Sequence, residues 1–386
     1  MSHSLKMGLI GGGPGAFIGD VHVKAARLDG GVDLVAGVFS RDSAKSRQAG
    51  RSYGLADERI YPDIASMIAA EQALPEDERI DFVAIATPND SHFPIAKAFI
   101  EAGFHVMCEK PMTRSTNEAR ELHELVSRSP AIFALMHNYT GYPMVKLARD
   151  MIGAGDLGAL RKIVVQYPQG WLSTALEQTG QKQAEWRTDP ARSGAAGCLG
   201  DIGTHAANLT EYITGLQITH VCAEVMTFVP GRRLDDDVSC LLRFGPDVRG
   251  ILHASQIAAG EENALRIAIH GEQASLSWCQ QQPDVLMVTP LDSPPQIWKR
   301  GNPWVAQKSP AAARATRLPA GHPEGYLEAF AAVYHNFCDT IRAQKNGRQP
   351  EALVQDFPGI DEGLRGMRFI ETVLKSAHSE VKWIEF

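Results

Sequence analysis

The feature that most constrains this chain is a run of small residues near its start, Gly11-Gly12-Gly13-Pro14-Gly15-Ala16. It directly follows the apolar stretch Met7–Ile10 and precedes a helix-like stretch, Phe17–Leu28. Gly11, Gly13 and Ala16 satisfy the spacing G-x-G-x-x-G/A. Small residues there allow a turn of unusual backbone angles, a close approach to a pyrophosphate and tight packing of the next helix on the sheet. The free N–H groups at the helix start then face the anion. Gly11, Gly13, Gly15 and Ala16 are therefore expected to hold dinucleotide phosphates, although Pro14 removes one donor from the loop. A glycine cluster alone is a common turn; it gains weight only if it caps the first strand of a βαβ series.

The rest of the N-terminal third supplies that context. Apolar runs at Val32–Phe39, Asp81–Ala86, His105–Cys108 and Ile132–Met136, with a weaker one at Arg59–Tyr61, alternate with amphipathic stretches at 42–53, 92–102 and 116–127. That alternation predicts βαβ units and a doubly wound parallel sheet. After Asn138 the pattern changes. A helix is expected over 145–152. Closely spaced alternating runs follow at 160–167, 218–228, 238–244, 249–256, 265–270, 275–278 and 285–288, joined by Gly, Pro and Asp turns. They predict a large, mostly antiparallel sheet in an α+β domain. Residues 290–319 read as a long loop, with two helices within 325–344 and 361–376. The expected division is a dinucleotide-binding domain over 1–140 and a substrate-binding and oligomerisation domain over 141–386.

Composition excludes more than it assigns. With 44% apolar and 22% charged residues and a formal net charge of −7, the chain has the balance of a globular protein and no basic face for nucleic acid or anionic lipid. Its longest apolar runs are too short and broken to span a bilayer. Residues 1–6 are polar, without the pattern of a secretory leader. The six cysteines are scattered, with no CxxC and no Cys/His cluster, so a metal site is not expected and reduced thiols in the cytoplasm are.

The second strand of a dinucleotide fold ends beside the adenosine ribose, where Asp or Glu selects NAD. Here that end reads Val38-Phe39-Ser40-Arg41-Asp42. Ser40 and Arg41 suit a 2′-phosphate, so either NAD or NADP is expected; alternatively Asp42 is a helix cap and Arg41 is merely solvated. Glu109-Lys110-Pro111 falls at the end of a parallel strand, where open α/β sheets bind ligands. A lysine there can donate a hydrogen bond to a reacting oxygen, though a plain surface turn is the alternative.

Taken together, the chain resembles the Gfo/Idh/MocA family, which includes glucose–fructose oxidoreductases and inositol dehydrogenases. The resemblance rests on Gly11–Gly15, Ala86-Thr87-Pro88-Asn89 with His92, Glu109-Lys110-Pro111, Trp186-Arg187 and Gly200-Asp201-Ile202-Gly203-Thr204-His205, in order over nearly the whole chain. It implies a Rossmann domain, a C-terminal domain whose open sheet forms a homodimer or homotetramer contact, and the catalytic set Lys110, Asp201 and His205. The chemistry agrees: Asp201 and His205, four apart, share one side of a helix, and imidazole suits removal of a hydroxyl proton near neutral pH. His205 is assigned as proton acceptor, Lys110 as donor to the hydroxyl and Asp201 as the group orienting substrate. Thr87, Pro88, Asn89 and His92, together with Glu109 and Lys110, are expected along the cofactor. Asn138 and Tyr139, closing the sixth strand, are expected beside the nicotinamide, and Arg187 at cofactor or substrate.

On the substrate side, Tyr167-Pro168-Gln169-Gly170-Trp171 offers an aromatic platform for the C–H face of a sugar ring, with Tyr139, Arg187 and His322 as further contacts. No arginine cluster calls for a polyanionic substrate. The expected activity is NAD(P)-dependent oxidation of a secondary alcohol on a sugar, cyclitol or glycoside. Two alternatives are an NAD-dependent glycoside hydrolase working by transient oxidation and elimination, and a cofactor-sensing regulator without catalysis.

Overall fold

A computed structural model describes residues 4–386. The chain forms two compact units. The first is Met1–Asn138 together with Tyr326–Leu364, and the second is Tyr139–Gly325 together with Arg365–Phe386. The boundary at 138/139 lies close to the expected 140/141. The return of residues 326–364 to the first unit was not expected, and its cause is apolar. Helix Tyr326–Lys345 buries Phe330, Tyr334, Phe337, Cys338 and Ile341 in the core formed with helix Phe17–Leu28 and the first sheet. Phe337 meets Phe82 edge to face at 5.3 Å. Each such ring withdrawn from water contributes about 1.5–3 kcal/mol.

The first unit is a five-stranded parallel sheet made of β1 (Leu5–Gly11), β2 (Val32–Val38), β3 (Phe82–Ala86), β4 (His105–Cys108) and β5 (Phe133–Leu135), in the order β2-β1-β3-β4-β5. All five residues of β3 are buried, as expected of a strand covered on both faces. The weaker strand expected at 59–61 reduces to a single bridge between Gly37 and Ile60 after a 3₁₀ turn. The sheet therefore lacks a sixth strand: β5 ends at Leu135, and Asn138 and Tyr139 lie in the 3₁₀ turn Asn138–Gly141. Strand order reverses between β1 and β3, the place where doubly wound sheets bind ligands beyond their carboxyl ends.

The second unit is a nine-stranded sheet: β6 (Leu160–Pro168), β7 (His220–Met226), β8 (Asp237–Phe244), β9 (Val248–Ser255), β10 (Arg266–Gly271), β11 (Ala274–Cys279), β12 (Val285–Pro290), β13 (Gln296–Lys299) and β14 (Ile384–Glu385). Its order is β13-β12-β11-β10-β6-β9-β8-β7-β14, and every pairing is antiparallel except β6 with β9. β8 shows why it is a one-sided sheet. Val238, Cys240, Leu242 and Phe244 are buried, whereas Ser239 and Leu241 face out.

The long loop expected over 290–319 is a correction. It contains β13 and the helices Pro303–Lys308 and Pro310–Ala315. Prolines made it read as loop, but Pro303 and Pro310 both begin helices, where a missing N–H is harmless. Ser309 ends one helix and caps the next by accepting from the Ala312 N–H. Among the described residues no helix is long and apolar enough to cross a membrane.

Candidate active site

In the first unit, β1 runs into the glycine turn. Gly11, Gly12 and Gly15 have φ of +96°, +75° and +78°, the left-handed region that side chains disfavour. A Cβ on Gly11 would lie 2.5 Å from the Ala86 carbonyl oxygen, and one on Gly13 2.7 Å from that of Phe39. The loop is thus a cradle that side chains would fill, the shape a pyrophosphate requires. Ala16 does not take the expected helix-packing role. It caps helix Phe17–Leu28, and its N–H is spent on the Gly13 carbonyl at 2.9 Å. The close contact belongs to Gly19, whose added Cβ would meet the Gly12 Cα at 2.3 Å.

Beyond β2, Asp42 accepts from the N–H groups of Ala44 and Lys45 and so caps the next helix. The Ser40 hydroxyl oxygen accepts from the Asp42 N–H, and Arg41 is exposed. No carboxylate at this end is left over as a ribose clamp.

After β3 come Thr87, Pro88 and buried Asn89, with the Thr87 hydroxyl accepting from Ser91 at 2.7 Å. His92 departs from expectation. Its fully buried ring has Nδ1 2.8 Å from the Pro111 carbonyl and Nε2 2.8 Å from that of Thr87. Burial lowers its pKa. His92 therefore lies between the loop after β3 and the loop after β4, with both ring nitrogens facing backbone carbonyls, to one of which the neutral ring donates.

β4 delivers Glu109 and Lys110. The Glu109 carboxylate, expected along the cofactor, is turned inward: it accepts from His22 Nε2 at 3.0 Å and from the Lys110 N–H at 3.1 Å. Lys110 itself is half-buried. His137, next to Asn138, is pushed down to about 3, first by burial and then by the positive charge of Lys110. Asn138 is buried, and its Nδ2 has no hydrogen-bond partner among the described residues.

In the second unit, Asp201 sits in the π-helical turn Leu199–Gly203, which runs directly into helix Thr204–Thr214 carrying His205. Buried Asp235 holds the approach to this turn by accepting from the N–H groups of Gly197 and Leu199 at 2.6 and 2.7 Å. Asp201 Oδ2 accepts from Arg187 Nε at 3.2 Å and Gln256 Nε2 at 2.9 Å. Arg187 lies over the Trp186 ring at 4.2 Å. The buried His205 ring meets Tyr139 edge to face at 4.8 Å. Tyr139 and Tyr167 join through their hydroxyls, and Tyr167 donates to Asn263 Oδ1 at 2.7 Å. Gln169 donates to the same oxygen and accepts from the half-buried Trp171 indole.

Two buried arginines fix loops of the second unit. Arg232 donates to Glu177, Asp236 and the carbonyls of Leu172 and Thr174, which fixes the segment after Trp171. Arg300 donates to Asp284, Glu324 and the carbonyls of Leu318 and His322. The fold thus uses the His322 backbone, and its imidazole is exposed. Among the described residues no group of three or more His, Cys, Asp or Glu is placed to hold a metal ion.

The first unit holds the glycine loop, Thr87, Asn89 and Lys110, and the second holds Tyr139, Trp171, Arg187, Asp201, His205 and His322. Sequence reasoning missed Gly19, His22, His137, Gln256, Asn263 and Tyr334. Only Gly19 carried a local signal, as a glycine inside a helical stretch; the others meet their partners through long-range folding.

Residues 5–137 match the family model described as oxidoreductase family, NAD-binding Rossmann fold, and residues 145–277 the model of the GFO/IDH/MocA C-terminal domain. An uncharacterized oxidoreductase of Bacillus subtilis, YfiI, is 33% identical over 100% of this chain and 98% of its own length. The levoglucosan dehydrogenase of Pseudarthrobacter phenanthrenivorans is 28% identical over 74% of this chain and 76% of its own. Crystal structures of an inositol dehydrogenase homolog from Azotobacter vinelandii are 31% identical and cover 100% of this chain and 98% of theirs. Their TM-scores are 0.94 with NAD+ and 0.91 with NADH and myo-inositol. The glycine cradle, the lysine just beyond β4 and the Asp201–His205 turn stand on a chain that belongs to the Gfo/Idh/MocA family of NAD-binding oxidoreductases.

Proposed function

We propose that this protein oxidises a secondary alcohol of a sugar, cyclitol or glycoside, or reduces the matching ketone, with Lys110, Asp201 and His205 as its catalytic set. The observation that carries the reading is the Asp201–His205 turn: a carboxylate pinned by Arg187 and Gln256, four residues before a histidine buried against Tyr139. A pinned carboxylate that needs no rearrangement suits the orientation of substrate hydroxyls. His205 takes the proton of the reacting hydroxyl, for which imidazole is suited near neutral pH. Lys110 donates a hydrogen bond to the same oxygen and stabilises the negative charge that grows there.

Gly11, Gly13 and Gly15 would hold the pyrophosphate of NAD or NADP, with the helix start behind them. Thr87, Pro88 and Asn89 would line its path, and the buried Asn138 Nδ2 offers a donor to the carboxamide. Ser40 and Arg41 accommodate either cofactor, since no carboxylate opposes a 2′-phosphate. When bound, the nicotinamide supplies the hydride acceptor or donor. Trp171 offers an apolar face to a sugar ring, and Tyr139, Arg187 and His322 are the further substrate contacts. The relatives that bind myo-inositol or act on levoglucosan support a polyhydroxylated substrate. Exposed Met226, Leu241 and Ile297 on the large sheet support a homodimer or homotetramer, which light scattering of the purified protein tests.

The deciding experiment incubates the protein with a panel of cyclitols, aldoses and glycosides, with NAD and with NADP. Net formation of reduced cofactor is the expected result, and aglycone release without it would assign redox-neutral cleavage instead. Lys110→Ala and His205→Ala should each lower kcat by at least about a hundredfold, the scale of a positioned acid or base, while dinucleotide affinity stays near normal. Unchanged turnover in both variants refutes the assignment.

A further inference from the structure

The first unit contains a buried polar chain that no expectation anticipated, and it ends at Lys110. His22 lies one turn into the helix that follows the glycine loop, with its ring wholly buried. Its Nδ1 is 2.6 Å from the Tyr334 hydroxyl and its Nε2 3.0 Å from Glu109 Oε1. The other Glu109 oxygen accepts from the Lys110 N–H at 3.1 Å. Three separate parts of the sequence meet here: the helix after β1, the end of β4 and the returning helix Tyr326–Lys345.

The hydrogens can be assigned. Burial raises the Tyr334 pKa well above its ordinary value, so the phenol keeps its proton. The Glu109 carboxylate can only accept, so His22 Nε2 carries the hydrogen shared with it, and Nδ1 pairs with the Tyr334 hydroxyl. Every member then has a partner: phenol with imidazole, imidazole donating to carboxylate, and the Lys110 N–H closing on the second oxygen. Phe82 and Phe330 enclose the chain at ring distances of 6.2 Å from Tyr334 and 5.5 Å from His22. A dry network of this kind is rigid, because breaking any link leaves a buried polar group unpaired.

We propose that His22 and Tyr334 are positioning residues for Lys110, acting through Glu109 to fix the backbone from which the ammonium is presented. The proposal rests on the catalytic reading of Lys110 only for its kinetic consequence. The placement of Lys110 is open to a test of its own. A simple filler role for His22 would require its volume; the proposed role requires its Nε2–H.

The test compares His22→Leu, which keeps apolar volume and loses the donor, with His22→Gln, whose amide can reach Glu109. Tyr334→Phe removes only the phenol oxygen. Trace acetylation of the cofactor-free protein, read by mass spectrometry at each lysine, reports how Lys110 is presented; half-buried Lys97, paired with Glu121, is the internal control. His22→Leu and Tyr334→Phe are expected to change the Lys110 labelling rate severalfold with Lys97 unchanged, and His22→Gln to restore it. On a substrate found with the panel, kcat should fall about tenfold in the Leu variant, the lower end of what support of a functional group is worth. It should recover in Gln, with cofactor affinity constant. Equal labelling of Lys110 in the wild type and the Leu and Phe variants, or equal behaviour of Leu and Gln, overturns the proposal. Full turnover by Lys110→Ala would instead remove the catalytic reading and leave the labelling result to judge the network.

Discussion

Gly19→Ala tests the geometry of the dinucleotide loop through a single methyl group. The added Cβ would stand 2.3 Å from the Gly12 Cα and 3.0 Å from its nitrogen. Carbon atoms pack at about 3.5–4.0 Å, so helix Phe17–Leu28 and the loop must part by more than about 1 Å. Gly12 has φ +75°, and Leu9, Tyr53 and Gly19 crowd the position a Cβ on it would take. Two stability effects oppose each other. Alanine gains about 1 kcal/mol of helix propensity over glycine, and overpacking costs about 1–3 kcal/mol. The melting temperature should therefore move by only a few degrees. Binding has no such compensation, since hydrogen bonds to a charged group are worth about 1.5–3 kcal/mol each and lengthening them by that distance forfeits most of it. NADH affinity, measured by fluorescence titration, should weaken at least about tenfold. Gly366→Ala is the control: it too lies inside a helix, and its Cβ would meet no neighbour. That change should be neutral or stabilising, with binding intact. Wild-type NADH affinity in Gly19→Ala would refute the placement of this contact.

Acid should destabilise the first unit through its buried histidines. Burial pushes His105 down to about 4 and His137 to about 3, against about 6.5 in the unfolded chain. Both pKa values are depressed in the fold, so their contribution is complete above pH 6.5 and is lost as pH falls towards 4 and 3. Between pH 6.5 and 5 each group should remove about 2 kcal/mol, read as a falling urea midpoint; a flat profile over that window refutes it. Arg232→Met should cost about 3–5 kcal/mol, because it leaves the buried Asp236 and the Leu172 and Thr174 carbonyls without their shared donor. Denaturant unfolding measures it, and a loss below about 1 kcal/mol would show that the arginine does not anchor the segment after Trp171.

The sequence by itself determined the parts of this protein that depend on neighbours along the chain. The glycine turn was legible because left-handed angles and close backbone approach admit little else, as Gly11 and Gly13 show. The βαβ alternation and the one-sided pattern of β8 were legible because burial imposes a period on the residues. The helix expected across Asp201 and His205 begins as a π-helical turn, Leu199–Gly203, before the α-helix that carries His205. Pro303 and Pro310 misled, since a proline signals both a loop and the first position of a helix.

Tertiary structure alone decided which polar atoms are available. His92 and Glu109 looked like cofactor ligands, yet folding turns one onto two carbonyls and the other onto His22. Tyr334 lies 312 residues from His22, and only the return of its helix to the first core brings the two to 2.6 Å. No local pattern encodes such a meeting, because it is set by which apolar faces bury one another. The chain spells out the glycine turn and the alternation of its elements; the packing of the helix at 326–345 decides which polar groups meet His22 and Glu109.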